Sequence, residues 1–173
     1  MTKIGLLSDT HAYWDDKFSF YFSSCDEIWH AGDIGSEEVL NRLQALKPVR
    51  AVYGNVDGSL LRSICPKTLR FKVEEVEVLL CHIGGYPGKY APEIRAELMT
   101  HPPKLFVCGH SHILKIIYDP HLQMLCVNPG AAGLSGFHQV RTLLRFVIDG
   151  EDIKNMEIIE LKTNNTNDAA MPD

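Results

Sequence analysis

Five short apolar runs in this chain each end in an aspartate, asparagine or histidine, most of them beside a glycine. That arrangement limits what the chain can fold into more than any other feature. Ile4-Gly5-Leu6-Leu7 leads into Ser8-Asp9-Thr10-His11, Asp26 to His30 into Ala31-Gly32-Asp33, and Val49 to Tyr53 into Gly54-Asn55-Val56-Asp57. The strand pattern Val76-Val78-Leu80 precedes His82-Ile83-Gly84, and Leu105 to Cys108 precedes Gly109-His110-Ser111-His112. Continuous apolar runs of this length read as strands buried on both faces. In open α/β sheets the ligand crevice lies at the carboxyl ends of the strands, where glycine lets the backbone turn sharply and approach a ligand closely.

Helical patterns lie between the runs. Ser36 is placed to cap a helix whose Val39, Leu40, Leu43 and Leu46 share one face, and Pro92 suits the first turn of a helix through Ile94 and Leu98. The first half therefore reads strand-helix-strand-helix-strand. The second half changes character. Leu69-Phe71-Val73 and Val76-Val78-Leu80 alternate across Glu74-Glu75, which predicts a hairpin. Ile113 to Tyr118 and Leu122 to Val127 flank Asp119-Pro120-His121, and Val140 to Ile148 and Ile153 to Leu161 flank Gly150. These are more strands than one parallel sheet uses, so two sheets packed face to face with helices outside is the expected α/β layering.

At 173 residues, 45% apolar and 23% charged, the composition is that of an ordinary globular domain. A chain of this size buries roughly 70% of its unfolded surface and needs no disulfide or metal merely to fold. One domain over residues 1–162 is expected, followed by a flexible polar tail from Thr163 to Asp173. Cys25, Cys65, Cys81, Cys108 and Cys126 are scattered, with no Cys-x-x-Cys pair, and read as reduced core thiols. With no signal-type pattern after Met1 and no run approaching the ~20 residues of a membrane span, a cytoplasmic protein without membrane partners is expected. Seventeen basic against 22 acidic residues give a net charge of −5, which disfavours polymeric nucleic acid but not a small phosphate ester. A homo-oligomer is left open.

Asp9, His11, Asp33, Asn55, His82, His110 and His112 make three oxygen-donor and four nitrogen-donor residues. That exceeds what one four-coordinate zinc needs and suits two divalent ions. Mixed imidazole and carboxylate ligation favours Mn, Fe, Zn, Ni or Co over Mg or Ca. Taken singly, the pieces have plainer readings as strand-end turns, a helix entry or a core histidine. His30 reads as packing behind the site, and His101, His121 and His138 as solvated. Tyr13 and Trp14 could wall a pocket or cover a sheet edge.

In series, Asp-x-His, Gly-Asp, Gly-Asn, a strand-end His and Gly-His-x-His resemble the calcineurin-like metallophosphoesterases, from Ile4 to about Ile148. The short spacings look most like the small bacterial and archaeal phosphodiesterase branch, to which the eukaryotic retromer scaffold subunit also belongs. Asn128-Pro129-Gly130 matches a motif of that branch. The resemblance implies a four-layer α-β-β-α sandwich and a two-metal site, manganese being put first. Asp9, His11 and His112 would hold one ion, Asn55, His82 and His110 the other, and Asp33 would bridge. A hydroxide between the ions would attack phosphorus in line, with Asp33, Asn55 and His82 closest to the chemistry. Two positions depart from the pattern. Val56 stands where many members carry a His that contacts phosphate or protonates the leaving group. Ala131-Ala132 follows Asn-Pro-Gly where the branch often has Ser. Asp57 is expected to orient a metal ligand through a hydrogen bond. The leading reading is a metal-dependent phosphodiesterase acting on small esters. The alternatives are a phosphomonoesterase and a protein-binding scaffold of the same fold.

Overall fold

The structure, a computed structural model, describes residues 1–162, so the expected tail from Thr163 lies outside the described residues. In chain order the elements are β1 (Thr2–Leu7), α1 (Lys17–Phe22), β2 (Glu27–His30), α2 (Glu37–Leu46), β3 (Val49–Ala51), α3 (Ser59–Ile64), β4 (Thr68–Val73) and β5 (Val76–Cys81). They continue with β6 (Gly85–Tyr86), β7 (Lys89–Tyr90), α4 (Pro92–Thr100), β8 (Leu105–Val107), β9 (Leu114–Asp119), β10 (Met124–Pro129), β11 (Arg141–Asp149) and β12 (Asp152–Leu161).

Two five-stranded mixed sheets form, ordered β12-β11-β1-β2-β3 and β4-β5-β8-β10-β9. In the first, β1, β2 and β3 run parallel, with β11 and β12 antiparallel beside them. In the second, β5, β8 and β10 are parallel and β4 and β9 close the edges antiparallel. Strand periodicity sorts the side chains into layers. Ile4 and Leu6 of β1, Val78 and Leu80 of β5, and Leu105 and Val107 of β8 meet between the sheets. Leu7 turns the other way, onto Phe18 and Phe22 of α1 and Val39, Leu40 and Leu43 of α2. Leu79, Cys81, Phe106 and Cys108 face Ile94 and Leu98 of α4. The result is helix, sheet, sheet, helix, as the resemblance implies. Trp29 ties the sheets together, its ring edge-on to Phe71 at 5.0 Å and to Phe146 at 5.6 Å. All five cysteines are free and buried, and no helix of the described residues is long and apolar enough to cross a membrane.

Ser36 caps α2, its hydroxyl accepting from the Val39 amide, and Pro92 occupies the first turn of α4. The hairpins stand at 68–81, 114–129 and 141–161. The sequence reading misses α1, α3 and the β6-β7 hairpin. Phe18, Phe20 and Phe22 alternate as a strand would, and a six-residue helix gives too little periodicity to contradict that. Tertiary packing decides: Phe18 and Phe22, one turn apart, are fully buried while Phe20 is 73% exposed.

Gly5 lies mid-strand because Phe22 occupies its face; a Cβ there would stand 2.7 Å from the ring Cε1. Strand propensities differ by only ~1 kcal/mol, whereas overpacking a core costs ~1–3 kcal/mol. Gly5→Ala should therefore lower the unfolding midpoint despite its better strand propensity. Combined with Phe22→Leu, it should cost less than the sum of the two single changes. Thermal melts of both singles and the double check this, and strict additivity would show that the ring does not hold the space.

Candidate metal centre

The parallel strands β1, β2 and β3 bring their carboxyl ends to one edge of the first sheet, and β5 and β8 do the same in the second. The loops leaving these ends bring all seven predicted donors together. Two groups have converging ligand atoms: Asp9, His11 and His112, and Asp33, His82 and His110. Asn55 joins the second group, its Oδ1 3.0 Å from His110 Nδ1.

Each carboxylate divides its oxygens between support and site. Asp9 Oδ2 accepts from the Ser8 hydroxyl (2.6 Å) and the His110 amide (3.1 Å). Its Oδ1 faces His112 Nε2 at 3.1 Å, His11 Nε2 at 3.7 Å and His82 Nε2 at 3.8 Å. Asp33 Oδ1 accepts from the Val56 amide at 3.0 Å, while its Oδ2 faces His82 Nε2 at 3.1 Å and His11 Nε2 at 3.7 Å. Glycines make this closeness possible. A Cβ on Gly109 would stand 2.8 Å from Asp9 Oδ2, and one on Gly32 2.7 Å from His82 Nδ1.

The donor set fits divalent ions. Asp9 Oδ1 and His82 Nε2 are buried with no hydrogen-bond partner among the described residues, a costly condition for polar atoms unless something else satisfies them. The ring tautomers point the same way. His82 Nδ1 lies 2.7 Å from the Ala31 carbonyl and must donate to it, so its Nε2 lone pair faces the carboxylates. His138 Nε2 donates to the Gly133 carbonyl at 2.9 Å, which leaves His138 Nδ1 to accept from His112 Nδ1 at 3.2 Å. The His112 Nε2 lone pair then also faces Asp9. Lone pairs and carboxylate oxygens converging at 3–4 Å repel one another unless positive charge lies between them. Proton affinities agree. Burial pushes the Asp9 carboxyl up, yet His11, His112, His82 and Ser8 hold it well below the usual carboxylate range. Burial pushes Asp33 up, but His82 and the Val56 amide bring it down overall. The Asp9 carboxylate raises His11 despite some burial, and Asp33 and Asp9 raise His82 against a larger burial effect.

Backbone strain concentrates here. Asp9, His11, Asp33, His110 and His112 all have φ between 45° and 71°, the left-handed region that L residues avoid at ~1–2 kcal/mol each. These are five of the nine such non-glycine residues among the described residues, so the strain follows the donors rather than the turns in general.

Several residues differ from expectation or were missed. His138, read as solvated, is half-buried against His112, its ring centroid 5.1 Å away. It lies 26 residues downstream in a loop, and only Gly133 and Gly136 around it mark a tight closure. Asp57 does not touch a donor side chain; its carboxylate accepts from the amides of Ile34, Gly35 and Gly54, fixing the loops that carry Asp33 and Asn55. Trp14 packs on Phe18 under Arg42, and Tyr13 lies under Arg141. Val56 uses only its amide, its side chain being 53% exposed. Asn128 holds the Gly109 carbonyl and Ser111 hydroxyl through Nδ2. Ala132 and Gly133 donate to the Ser8 and Asp9 carbonyls through their amides, so this loop is fixed without a hydroxyl after Asn-Pro-Gly. His30 packs behind the site as expected. Its Nδ1 accepts from the Gly32 amide, so Nε2 donates to the Thr10 hydroxyl, which donates to the Ile34 carbonyl.

Comparison with known proteins gives the same class. Residues 2–151 match the calcineurin-like phosphoesterase superfamily domain, and the chain belongs to that family. It is 29% identical over 165 residues to a probable metallophosphoesterase of Methanothermobacter thermautotrophicus, covering 90% of this chain and 91% of that protein. The crystal structure of Chaetomium thermophilum Vps29 superposes with a TM-score of 0.74 at 14% identity, over 93% of this chain and 97% of that one. An archaeal phosphodiesterase superposes with a TM-score of 0.68 at 20% identity, over 92% of this chain and 99% of that one. These two are likenesses of fold.

Burial pushes the His30 imidazole down to about 4 from 6.5. The unfolded chain therefore binds the extra proton between these values, and the His30 contribution to stability is lost as pH falls from about 6.5 to about 4. The stability advantage of the parent over His30→Gln should narrow across that window by up to ~1.4 kcal/mol per pH unit. Denaturant melts with chelator present measure it; parallel profiles would mean that the ring is not held neutral.

Proposed function

We propose that the chain is a metal-dependent phosphodiesterase, with residues 1–162 acting as one catalytic domain on small phosphate diesters. The observation that carries this reading is the pair of buried, unpartnered atoms, Asp9 Oδ1 and His82 Nε2, at the meeting point of seven donors. Metal-assisted hydrolysis uses such a costly arrangement, and protein binding by itself does not require it. Asp9, His11 and His112 would hold one ion and Asn55, His82 and His110 a second. Asp33 would serve both, because its Oδ2 faces His82 of one group and His11 of the other. Bound there, divalent ions of the Mn, Fe, Zn, Ni or Co type supply Lewis acidity to the phosphoryl group and bring the pKa of water towards ~7. The chain's own part is positional. The Val56 amide and Ser8 hydroxyl hold one oxygen of each carboxylate so that the other keeps a fixed aim. The Ala31 carbonyl and His138 Nδ1 engage Nδ1 of His82 and His112, so that in the neutral rings the Nε2 lone pair is the one aimed at the carboxylates. The cytoplasm, with its reduced thiol pool, suits the five free cysteines.

Metal analysis after Mn²⁺ loading should find more than one ion per chain. Asp33→Asn should lose more metal than a change at any donor serving one ion. A preparation with no metal and no turnover of any ester would favour the scaffold reading instead.

Nothing at Val56 can protonate a departing oxygen, and a general acid typically contributes ~10²–10⁴-fold. Activity should therefore be high on aryl diesters and fall steeply as the leaving group becomes more basic. Diesters should be preferred to monoesters. Val56→His keeps the amide that holds Asp33 and should raise turnover most for poor leaving groups. A leaving-group series on both proteins is the measurement; equal slopes would mean that another residue supplies the proton.

A further inference from the structure

Two clefts flank the candidate centre and share Ile83. One, of about 370 Å³, opens beside Asn55 and His82; the other, of about 220 Å³, opens beside His110. A diester has two organic arms, and two clefts on either side of the reacting phosphate can each receive one. The clefts differ in charge. In the larger, Lys67 is paired to Glu93 at 2.5 Å, Glu97 is paired to Arg70, and the Arg62 guanidinium is held by the Asp57 and Asn55 carbonyls. The smaller is lined by Lys89 and Lys115 and by no carboxylate. Among the described residues the ion-paired lysines are Lys67, Lys72 and Lys154, so neither cleft lysine is neutralised. Lys115 Nζ stands 3.7 Å above the Tyr86 ring. The Ser111 hydroxyl, also in this cleft, accepts from the Ile113 amide and Asn128 Nδ2, and its own hydrogen has no acceptor among the described residues.

Resting on the phosphodiesterase reading, we infer that the substrate is a diester with one anionic ester arm, and that this arm occupies the cleft beside His110. Its negative group, a carboxylate or a further phosphate, is received by Lys89, Lys115 and the Ser111 hydroxyl. The carbon skeleton of the arm lies against Ile83, Ile113 and Tyr86. Two uncompensated cations and a free hydroxyl donor on an apolar floor suit an anion carried on an organic frame. In a chain of net charge −5 a local excess of positive charge is not background. The other arm enters the larger cleft, where the Arg62 guanidinium is engaged by backbone carbonyls and both lining carboxylates are ion-paired.

The test compares 4-nitrophenyl phenyl phosphate with 4-nitrophenyl 4-carboxyphenyl phosphate on the metal-loaded enzyme. Charge-assisted contacts should make KM about tenfold lower for the carboxylate-bearing diester, and Lys89→Gln with Lys115→Gln should bring the KM ratio to near unity. In parallel, the carboxylate-bearing diester is titrated into metal-free protein, and backbone amide shifts should move at Gly84, Gly85 and Ser111. Equal KM values in the parent, or shifts elsewhere, overturn the inference. No turnover of either diester with shifts in the cleft would overturn the phosphodiesterase reading while leaving an anion site. No turnover and no shifts there would overturn both.

Discussion

Two carboxylates that cannot all be satisfied by the protein govern this molecule. Asp9 and Asp33 leave adjacent parallel strands at the same edge, each with one oxygen fixed by protein donors and the other turned towards imidazoles. Burial favours neutral groups, yet both carboxyls stay ionised because histidines and backbone amides crowd around them. An electrostatic hole of this kind holds together only with positive charge inside it. The histidines answer that need in one of two ways, by taking protons or by presenting lone pairs to a cation.

The rest of the fold serves to hold that edge rigid. The sandwich fixes the strand ends, with Trp29 packed between the two sheets on Phe71 and Phe146. Behind the donors, Asp57 gathers three backbone amides, His30 bridges Gly32 and Thr10, and Asn128 braces the loop of His110 and His112. These polar groups are buried and fully used, which is what allows five donor residues to remain in left-handed backbone conformations. The strain lies in the donors themselves because their φ values aim the side chains inward.

The family resemblance and the site geometry draw on different information. The family is carried by short motifs whose residues are close in sequence, so it is readable from the chain and agrees with the superfamily match. The difference between the two clefts is invisible in the motifs. Lys89, Ser111 and Lys115 come from the β6-β7 hairpin, the loop after β8 and the edge strand β9, and only the sheet order β5-β8-β10-β9 brings them to one cavity.

The sequence by itself determined which residues could donate, their order, and the strands that deliver them. Apolar runs, glycine turns and a Ser36 cap are local signals with local physical causes. It also determined the layering, because runs apolar at every position must be covered on both faces. Tertiary structure alone decided that Phe18-Phe20-Phe22 coils into a helix against Gly5, that His138 supports His112, and that Asp57 acts on backbone rather than on a donor. It also decided which oxygen of each carboxylate faces the site. These features depend on contacts between residues far apart in the chain, such as Asp9 with His112 and His11 with His112. Spacing along the sequence carries no record of which strand ends will meet.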